Sequence, residues 1–145
     1  MALAIGSDHG GYELKKEIKD LLDDKGIEYK DFGTDSGESV DYPEFAQPVA
    51  QAVAEGEYEK GILICGTGIG MSIAANKIKG VRAALCHDVY SARMTRRHNN
   101  SNLLTMGGRV IGADLAREIV KVWVEEDFDG GRHKRRIDKI SQLEE

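Results

Sequence analysis

The sequence predicts an α/β protein in which helices cover both faces of a parallel β-sheet. Short aliphatic runs alternate along the chain with stretches of helical periodicity, a pattern typical of parallel strands joined by helical crossovers. The 145 residues suffice for a compact unit with a hydrophobic core. We therefore expect residues 1–145 to form a single domain.

Five runs have the length and aliphatic content of strands. They are residues 3–6, 27–32, 61–65, 81–86 and 103–106. Glycine, asparagine or charged residues border most of these runs, as expected where strands end in turns.

Six helical stretches complete the alternation. The first places Leu14, Ile18 and Leu22 on one face, and Gly26 follows where such a helix would end. The second begins near Pro43, with Asp41 and Glu44 in the arrangement of a capping box. The remaining helices are expected after the glycine-rich stretch at 66–70, over 88–97, around 115–123 and from about 132.

Composition excludes several classes of protein. The net charge is −5, which argues against general nucleic-acid binding, and no apolar run approaches the roughly 18 residues of a membrane span. The N-terminus lacks the basic and apolar regions of a signal peptide. The two cysteines lie 21 residues apart and suggest neither a disulfide framework nor a zinc site, so we expect a cytoplasmic protein.

Charge is distributed unevenly between the two parts of the chain. Residues 1–60 contain 6 basic and 15 acidic residues, whereas residues 61–145 contain 14 and 10. A positive region within an acidic protein is compatible with a site for a small anion, and equally with an ordinary solvated surface.

Polar residues follow the predicted strands at the edge where ligands bind in open parallel sheets. Asp8 and His9 follow the first strand, Cys65 ends the third, and His87 follows the fourth. Arg109 follows the fifth strand after two glycines. This placement favours a functional site over a scatter of surface residues.

The segment 65–70 is the most informative of these strand ends. A strand that leads into Gly-x-Gly-x-Gly and then a helix lets main-chain N–H groups approach a phosphate or an oxyanion. Cys65 precedes this turn, where the helix N-terminus favours the thiolate and hence a base. Cys86 has no such turn after it, and we interpret it as a buried small apolar residue.

Two basic segments lie nearer the C-terminus. Arg132 and Arg136 are spaced i and i+4, so one face of the last helix presents two guanidinium groups suited to a phosphate. His98 closes the fourth helix, and spacing alone favours a role in capping its carbonyl groups. Arg96 and Arg97 are interpreted as surface residues.

Taken together, these segments resemble the family of type B ribose-5-phosphate isomerases, which also includes allose-6-phosphate and galactose-6-phosphate isomerases. The matching segments, in the order of the family, are Gly6-Ser7-Asp8-His9-Gly10-Gly11, Asp41-Tyr42-Pro43, Ile64-Cys65-Gly66-Thr67-Gly68-Ile69-Gly70, Ile73-Ala74-Ala75-Asn76-Lys77, Arg97-His98-Asn99, Gly107-Gly108-Arg109-Val110 and Gly130-Gly131-Arg132-His133. Each segment is weak evidence alone, but together they span nearly the whole chain.

The resemblance implies a three-layer α/β/α sandwich with a five-stranded, Rossmann-like parallel sheet and an additional C-terminal helix. It implies no metal and no organic cofactor. It further implies a homodimer or homotetramer whose active sites are built across the subunit interface.

The resemblance also assigns roles to individual residues. Cys65 corresponds to the catalytic base, and His98 to the residue that opens the sugar ring. Thr67 and Asp8 are candidates for moving a proton between the two substrate oxygens. The implied substrate-binding set is Asp8, His9, Gly66, Thr67, Gly68, Ile69, Gly70, Asn99, Arg109, Arg132 and Arg136.

Three other functions remain open at this point. The glycine loop 66–70, with Asp88 about 20 residues further on, would suit a dinucleotide-binding module, although the spacing of its glycines departs from G-x-G-x-x-G. A non-catalytic sugar-phosphate-binding protein would also use the arginines. A hexose-6-phosphate isomerase subunit would share the whole site, because the sequence does not fix the depth of the cavity.

Overall fold

The computed structural model describes residues 1–145 and contains five strands and six helices. The strands are β1 (Ala2–Ser7), β2 (Glu28–Asp31), β3 (Lys60–Cys65), β4 (Ala83–Leu85) and β5 (Leu103–Gly107). The helices are α1 (Tyr12–Asp24), α2 (Pro43–Ala54), α3 (Ile69–Ala75), α4 (Val89–Asn99), α5 (Ala113–Glu125) and α6 (Arg132–Gln142). None of the helices combines the length and hydrophobicity that crossing a membrane requires.

The strands form one parallel sheet in the order β2-β1-β3-β5-β4. Helices α1, α4 and α5 contribute to a core on one face, which includes Ile18, Ile62 and Trp123. Helices α2 and α3 cover the other face, where Val49 and Met71 are fully buried. The predicted three-layer sandwich is therefore confirmed, and α6 is the predicted additional helix, packed against α4.

The strand order creates a crevice between β1 and β3. Helix α1, which follows β1, and helix α3, which follows β3, pack on opposite faces of the sheet. Where consecutive crossovers leave in opposite directions, the carboxyl ends of the two strands border an open space in which ligands bind. The loops after Ser7 and Cys65 therefore border a ready-made binding position.

The ends of α1 and α2 differ in how well the sequence predicted them. Gly26 follows the C-terminus of α1 with a φ of +67°, so the predicted terminating role of this glycine is confirmed. The predicted capping box of α2 is wrong. Its N-cap is Tyr42, which already has helical torsion angles, and no side chain caps the helix. A capping side chain needs an extended N-cap residue, whereas Pro43 favours helical torsion angles at the start of α2.

Arg96 is a second correction, because it is not a surface residue. Only 7% of it is exposed, and its guanidinium donates to the carbonyl groups of Ser101 and Glu126 and to the side-chain oxygen of Asn100. It therefore ties the end of α4 to the end of α5. Arg97 does lie at the surface, where its side chain is 42% exposed.

Candidate active site

A cleft of about 420 Å³ opens at the carboxyl ends of β1 and β3. It is lined by Asp8, Tyr42, Cys65, Gly66, Thr67, Ile69, Gly70 and Ile73. A cavity of similar volume, about 440 Å³, lies beside the C-terminal helix, but neither a thiol nor a histidine lines it. The predicted base Cys65 and the carboxylate of Asp8 therefore line the β1/β3 cleft, whereas Asn99 lines the other cavity.

Cys65 is held at the floor of this cleft by the turn that follows it. Its side chain is largely buried, at 5% exposure, and its Sγ accepts a hydrogen bond of 3.1 Å from the main-chain N–H of Gly68. The turn therefore holds the Cys65 sulfur in a defined position at the lining of the cleft.

The shape of the loop depends on Gly68 and Gly70. Gly68 has a φ of +78°, and a Cβ atom there would lie 2.8 Å from the carbonyl carbon of Met106. A Cβ atom on Gly70 would lie 2.6 Å from the ring of Tyr42. The glycines thus allow the loop to pack directly against β5 and the Tyr42 ring, which brings main-chain N–H groups to the cleft.

Several of those N–H groups are available to a ligand. The N–H of Ile69 donates to the Thr67 hydroxyl oxygen at 3.2 Å, whereas the N–H groups of Gly66, Thr67 and Gly70 have no protein acceptor. Unpaired main-chain donors beside a base are suited to stabilising an anionic oxygen.

Asp8 brings a carboxylate to the same cleft. Its Oδ1 accepts hydrogen bonds from the N–H groups of Gly10 at 2.9 Å and Gly11 at 3.2 Å. Its second oxygen has no protein donor and remains available. Gly10 packs so closely on the loop after β3 that a Cβ atom there would lie 2.9 Å from the nitrogen of Gly66.

The turn after β5 adds Arg109 to this group. The N–H of Gly108 donates to the Cys65 carbonyl at 2.8 Å, and that of Arg109 donates to the Gly66 carbonyl at 3.0 Å. The Arg109 guanidinium lies over Gly66, where Nη1 is 3.3 Å from the position of a Cβ atom. The turn itself is held by His87, whose Nε2 accepts from the N–H of Gly107 at 3.0 Å. Burial lowers the pKa of His87, which favours this neutral acceptor.

His9 follows Asp8 in the chain, and a main-chain contact defines its tautomer. Its Nδ1 accepts a hydrogen bond of 3.2 Å from the N–H of Val40, so the ring proton resides on Nε2, which is free to donate to a ligand. The structure therefore places nine of the predicted site residues at the carboxyl ends of β1, β3 and β5. They are Asp8, His9, Cys65, Gly66, Thr67, Gly68, Ile69, Gly70 and Arg109.

The remaining predicted residues lie elsewhere on the chain. Helix α4 starts at the carboxyl end of β4 and runs back across the sheet, so His98 and Asn99 lie towards its amino edge. There the guanidinium of Arg82 donates to the Asn99 carbonyl at 3.2 Å. Eleven helical residues span about 16 Å, so one chain does not bring His98 to Cys65.

His98 forms a second group with the start of α6. Its ring stacks on that of His133, with centroids 4.1 Å apart and planes 7° apart, and it makes no hydrogen bond to the helix carbonyls. The capping role favoured by spacing is therefore wrong. The N–H groups of Asn100 and Ser101 satisfy those carbonyls instead. Burial and the neighbouring His98, Arg132 and Arg136 lower the pKa of His133, which favours a neutral ring.

The second group also contains residues of the kinds that bind metals. Nitrogen or oxygen atoms of His98, Asp129 and His133 all lie within 4.8 Å of one another. Imidazole lone pairs lie in the ring plane, so two parallel stacked rings do not point at a common ion. Asp129 also accepts from Arg97 at 3.2 Å. The geometry thus favours a stacked histidine pair over a metal centre.

Sequence reasoning left two lining residues of the cleft out of the predicted site. Tyr42 and Ile73 are 39% and 60% exposed and line the cleft beside Cys65. An exposed isoleucine on a short helix is the kind of signal that could have identified Ile73, since apolar side chains on the surface often mark binding positions.

The fold and the cleft define a class. This is an open parallel α/β protein of the enzyme type, with a thiol, a carboxylate and main-chain donors that converge on one small cleft. The chain belongs to the ribose/galactose isomerase family, which it matches over residues 3–140. The family membership predicted from the sequence motifs is therefore confirmed.

Individual relatives support this assignment over the full length. The chain is 60% identical to a putative sugar phosphate isomerase, YwlF, of Bacillus subtilis, covering 100% of this chain and 98% of the relative. It is 50% identical to ribose-5-phosphate isomerase B of Escherichia coli, covering 99% and 96%. A solved structure of Clostridium thermocellum ribose-5-phosphate isomerase B superposes with a TM-score of 0.98 at 56% identity, covering 99% and 97%.

Proposed function

We propose that this protein interconverts ribose 5-phosphate and ribulose 5-phosphate, with Cys65 as the base that moves the proton. The observation that carries the proposal is the position of the Cys65 thiol, which accepts from the Gly68 N–H at the floor of a cleft that also contains Asp8. The substrate named for the Escherichia coli and Clostridium thermocellum relatives supports the pentose phosphate.

The proposed chemistry is a proton transfer between adjacent carbons. The Cys65 thiolate removes the C2 proton of the open-chain aldose, and the C–H electron pair forms the C1–C2 double bond as the aldehyde oxygen becomes an oxyanion. The N–H groups of Gly66, Thr67 and Gly70 stabilise that enediolate. Asp8 or Thr67 moves a proton from O2 to O1, and the thiol returns its proton to C1, which yields the ketose.

The phosphate contacts come from both groups of residues. His9 follows β1 and Arg109 follows β5, at the same edge of the sheet as Cys65, whereas Arg132 and Arg136 lie beside His133 near the other end of α4. We infer that His98, Asn99 and the two α6 arginines act in the site of a second copy of the chain. A two-fold dimer would then contain two sites, each with Cys65 from one copy and His98 from the other.

His98 is proposed to open the sugar ring. Aldopentose phosphates are mainly cyclic, so a proton must move between the ring oxygen and the anomeric hydroxyl before C2 can be deprotonated. An imidazole is suited to that exchange near neutral pH. The stacked, electrically neutral His133 would fix the orientation of the His98 ring without adding a positive charge.

The direct experiment is a coupled turnover assay of wild type and Cys65→Ala on ribose 5-phosphate, allose 6-phosphate and galactose 6-phosphate. We expect wild type to prefer the pentose. Loss of the base should lower turnover by about 10² to 10⁴ with the affinity for the sugar phosphate largely kept. Turnover of Cys65→Ala at the wild-type rate would refute the role of the thiol. A preference for either hexose phosphate would show that the proposed pentose phosphate is not the substrate.

The dinucleotide alternative has less support. Asp88, its proposed ribose ligand, caps α4 and accepts from the N–H of Ser91 at 2.6 Å and from the Ser91 hydroxyl at 2.9 Å. Each carboxylate oxygen therefore already accepts one hydrogen bond from the start of α4. Thermal shift distinguishes the two proposals, since ribose 5-phosphate but not NAD should raise the melting temperature. A non-catalytic sugar-phosphate-binding protein would bind ribose 5-phosphate without turnover.

A further inference from the structure

A buried lysine outside the cleft contacts the segment that leads to Tyr42, one of the residues lining the cleft. We propose that Lys15 is a positioning residue that, through the carbonyl group of Thr34, anchors the loop that fixes the tautomer of His9. Lys15 lies on α1 and is 1% exposed, although its neighbours on that helix face, Leu14 and Ile18, are apolar core residues. The kinetic part of this inference rests on the proposed function, and the structural part does not.

The lysine makes two directed contacts. Its Nζ donates to Asp31 Oδ1 at 2.8 Å and to the carbonyl oxygen of Thr34. Burial lowers the pKa of Lys15, while the hydrogen bond to Asp31 opposes that shift. A methionine would fill the same space without the cost of burying an amine, so the donor itself is the useful part of this side chain.

The Asp31 carboxylate has hydrogen-bond donors other than Lys15. Its Oδ2 accepts from Lys19 at 2.9 Å, and its Oδ1 also accepts from the N–H of Gly33 at 2.9 Å. The Thr34 carbonyl, in contrast, has Lys15 as its side-chain donor and belongs to a residue that is 5% exposed. Loss of the amine would leave that buried acceptor unsatisfied, which favours movement of the segment towards water.

Residues 33 and 34 are hydrogen-bonded to the last residue of β1. The N–H of Ser7 donates to the Gly33 carbonyl at 2.7 Å, and the N–H of Thr34 donates to the Ser7 carbonyl at 2.7 Å. Asp8 and His9 follow directly. The position of Thr34 therefore determines where the following loop leaves the sheet and passes His9.

The loop delivers two groups to the cleft. The N–H of Val40 donates to His9 Nδ1 at 3.2 Å, and the Tyr42 ring covers Gly70. The Val40 contact keeps the His9 proton on Nε2, the atom left to donate to a ligand. If the loop moved, His9 would populate both tautomers and would present a donor only part of the time.

The test compares Lys15→Met with Lys19→Met, since both remove a donor to Asp31 but only the first removes the donor to Thr34. In ¹⁵N-histidine NMR spectra, wild type and Lys19→Met should show His9 protonated on Nε2, and Lys15→Met should show a mixture of tautomers. In turnover of ribose 5-phosphate, Lys15→Met should raise KM by about tenfold with little change in kcat, because the lost contact is to the remote phosphate.

A second variant keeps the test decisive if Lys15→Met does not fold. Val40→Pro removes the N–H that donates to His9, and it should give the same tautomer mixture and the same rise in KM. An unmixed His9 tautomer and an unchanged KM in either folded variant would overturn the proposal. So would Lys19→Met behaving like Lys15→Met. If wild type has no isomerase activity, the proposed function fails, while the NMR comparison still decides the role of Lys15.

Discussion

The two cysteines lie in different local environments, although both side chains are largely buried. Cys86 is 2% exposed in the core beneath α4, and burial, with a smaller contribution from Asp88, raises its pKa to about 12. Cys65 receives the Gly68 N–H and lines the cleft. The prediction that Cys86 is a buried small apolar residue is confirmed, whereas the role of Cys65 as a base stays a prediction.

Selective alkylation should report this difference. At about pH 8 the buried Cys86 is a neutral thiol, so iodoacetamide should modify Cys65 alone, with activity lost in proportion to labelling. Ribose 5-phosphate should slow the reaction. Peptide mass spectrometry locates the label, and Cys65→Ala serves as the control that should take up none. Labelling mainly at Cys86 would contradict the assignment.

Cys86 should also make stability depend on alkaline pH. Its pKa is higher in the folded than in the unfolded state, so between about pH 9 and 12 the unfolded chain binds fewer protons and is favoured as pH rises. The free energy of unfolding should fall across this range, and Cys86→Ala should fall less steeply. Urea unfolding at several pH values measures both. Parallel curves would show that the Cys86 thiol is not shielded.

The proposed ring-opening role of His98 can be tested separately from proton transfer at carbon. A four-carbon aldose 4-phosphate cannot form a five-membered ring, because the hydroxyl that would close it is phosphorylated. His98→Asn should therefore lose much less activity on that substrate than on ribose 5-phosphate, where general acid–base catalysis contributes about 10² to 10⁴. Steady-state kinetics on the two substrates provide the comparison, and equal losses would refute the role.

At the scale of helices, the starts of α2 and α4 differ in the use of their acidic residues. Asp88 is the N-cap of α4, with an extended backbone and a hydrogen bond from the Ser91 N–H at 2.6 Å. Asp41 precedes the N-cap of α2 and caps nothing. Two aspartates near helix starts are therefore expected to contribute differently to the free energy of unfolding.

Alanine substitution should reveal that difference. Asp88→Ala should lower the free energy of unfolding because α4 loses its N-cap, whereas Asp41→Ala should have almost no effect. Chemical denaturation of the two variants measures both values. An equal loss in both would show that the aspartates act through general electrostatics and not through capping.

The elements themselves were largely predictable from periodicity, because aliphatic strands and amphipathic helices differ in spacing. Two features were not. The strand order depends on which crossovers pack on which face, and local pattern does not encode this. The burial of Arg96 depends on carbonyl groups at Ser101 and Glu126, the latter 30 residues away. The local pattern of hydrophobic residues does not indicate such long-range partners, so the burial of Arg96 could not be predicted from it.

At the scale of the whole molecule, the predicted site residues fall into two groups at different ends of α4. The cleft residues follow β1, β3 and β5, so the rule that ligands bind at the carboxyl ends of parallel strands located them. His98 and Asn99 end α4, and Arg132 and Arg136 lie at the start of α6, so that rule does not locate them. Only the family resemblance links the two groups, through the proposal that two copies of the chain build each site.

Subunit complementation tests this central claim most directly. Cys65→Ala and His98→Ala are co-refolded at equal concentration and assayed on ribose 5-phosphate, with Cys65→Ala plus the double variant as the control. In a random mixture half the dimers are mixed, and each mixed dimer contains one intact site, so about a quarter of wild-type activity should return. The control should stay inactive. Activity no greater than the sum of the separate variants would contradict a site shared between subunits.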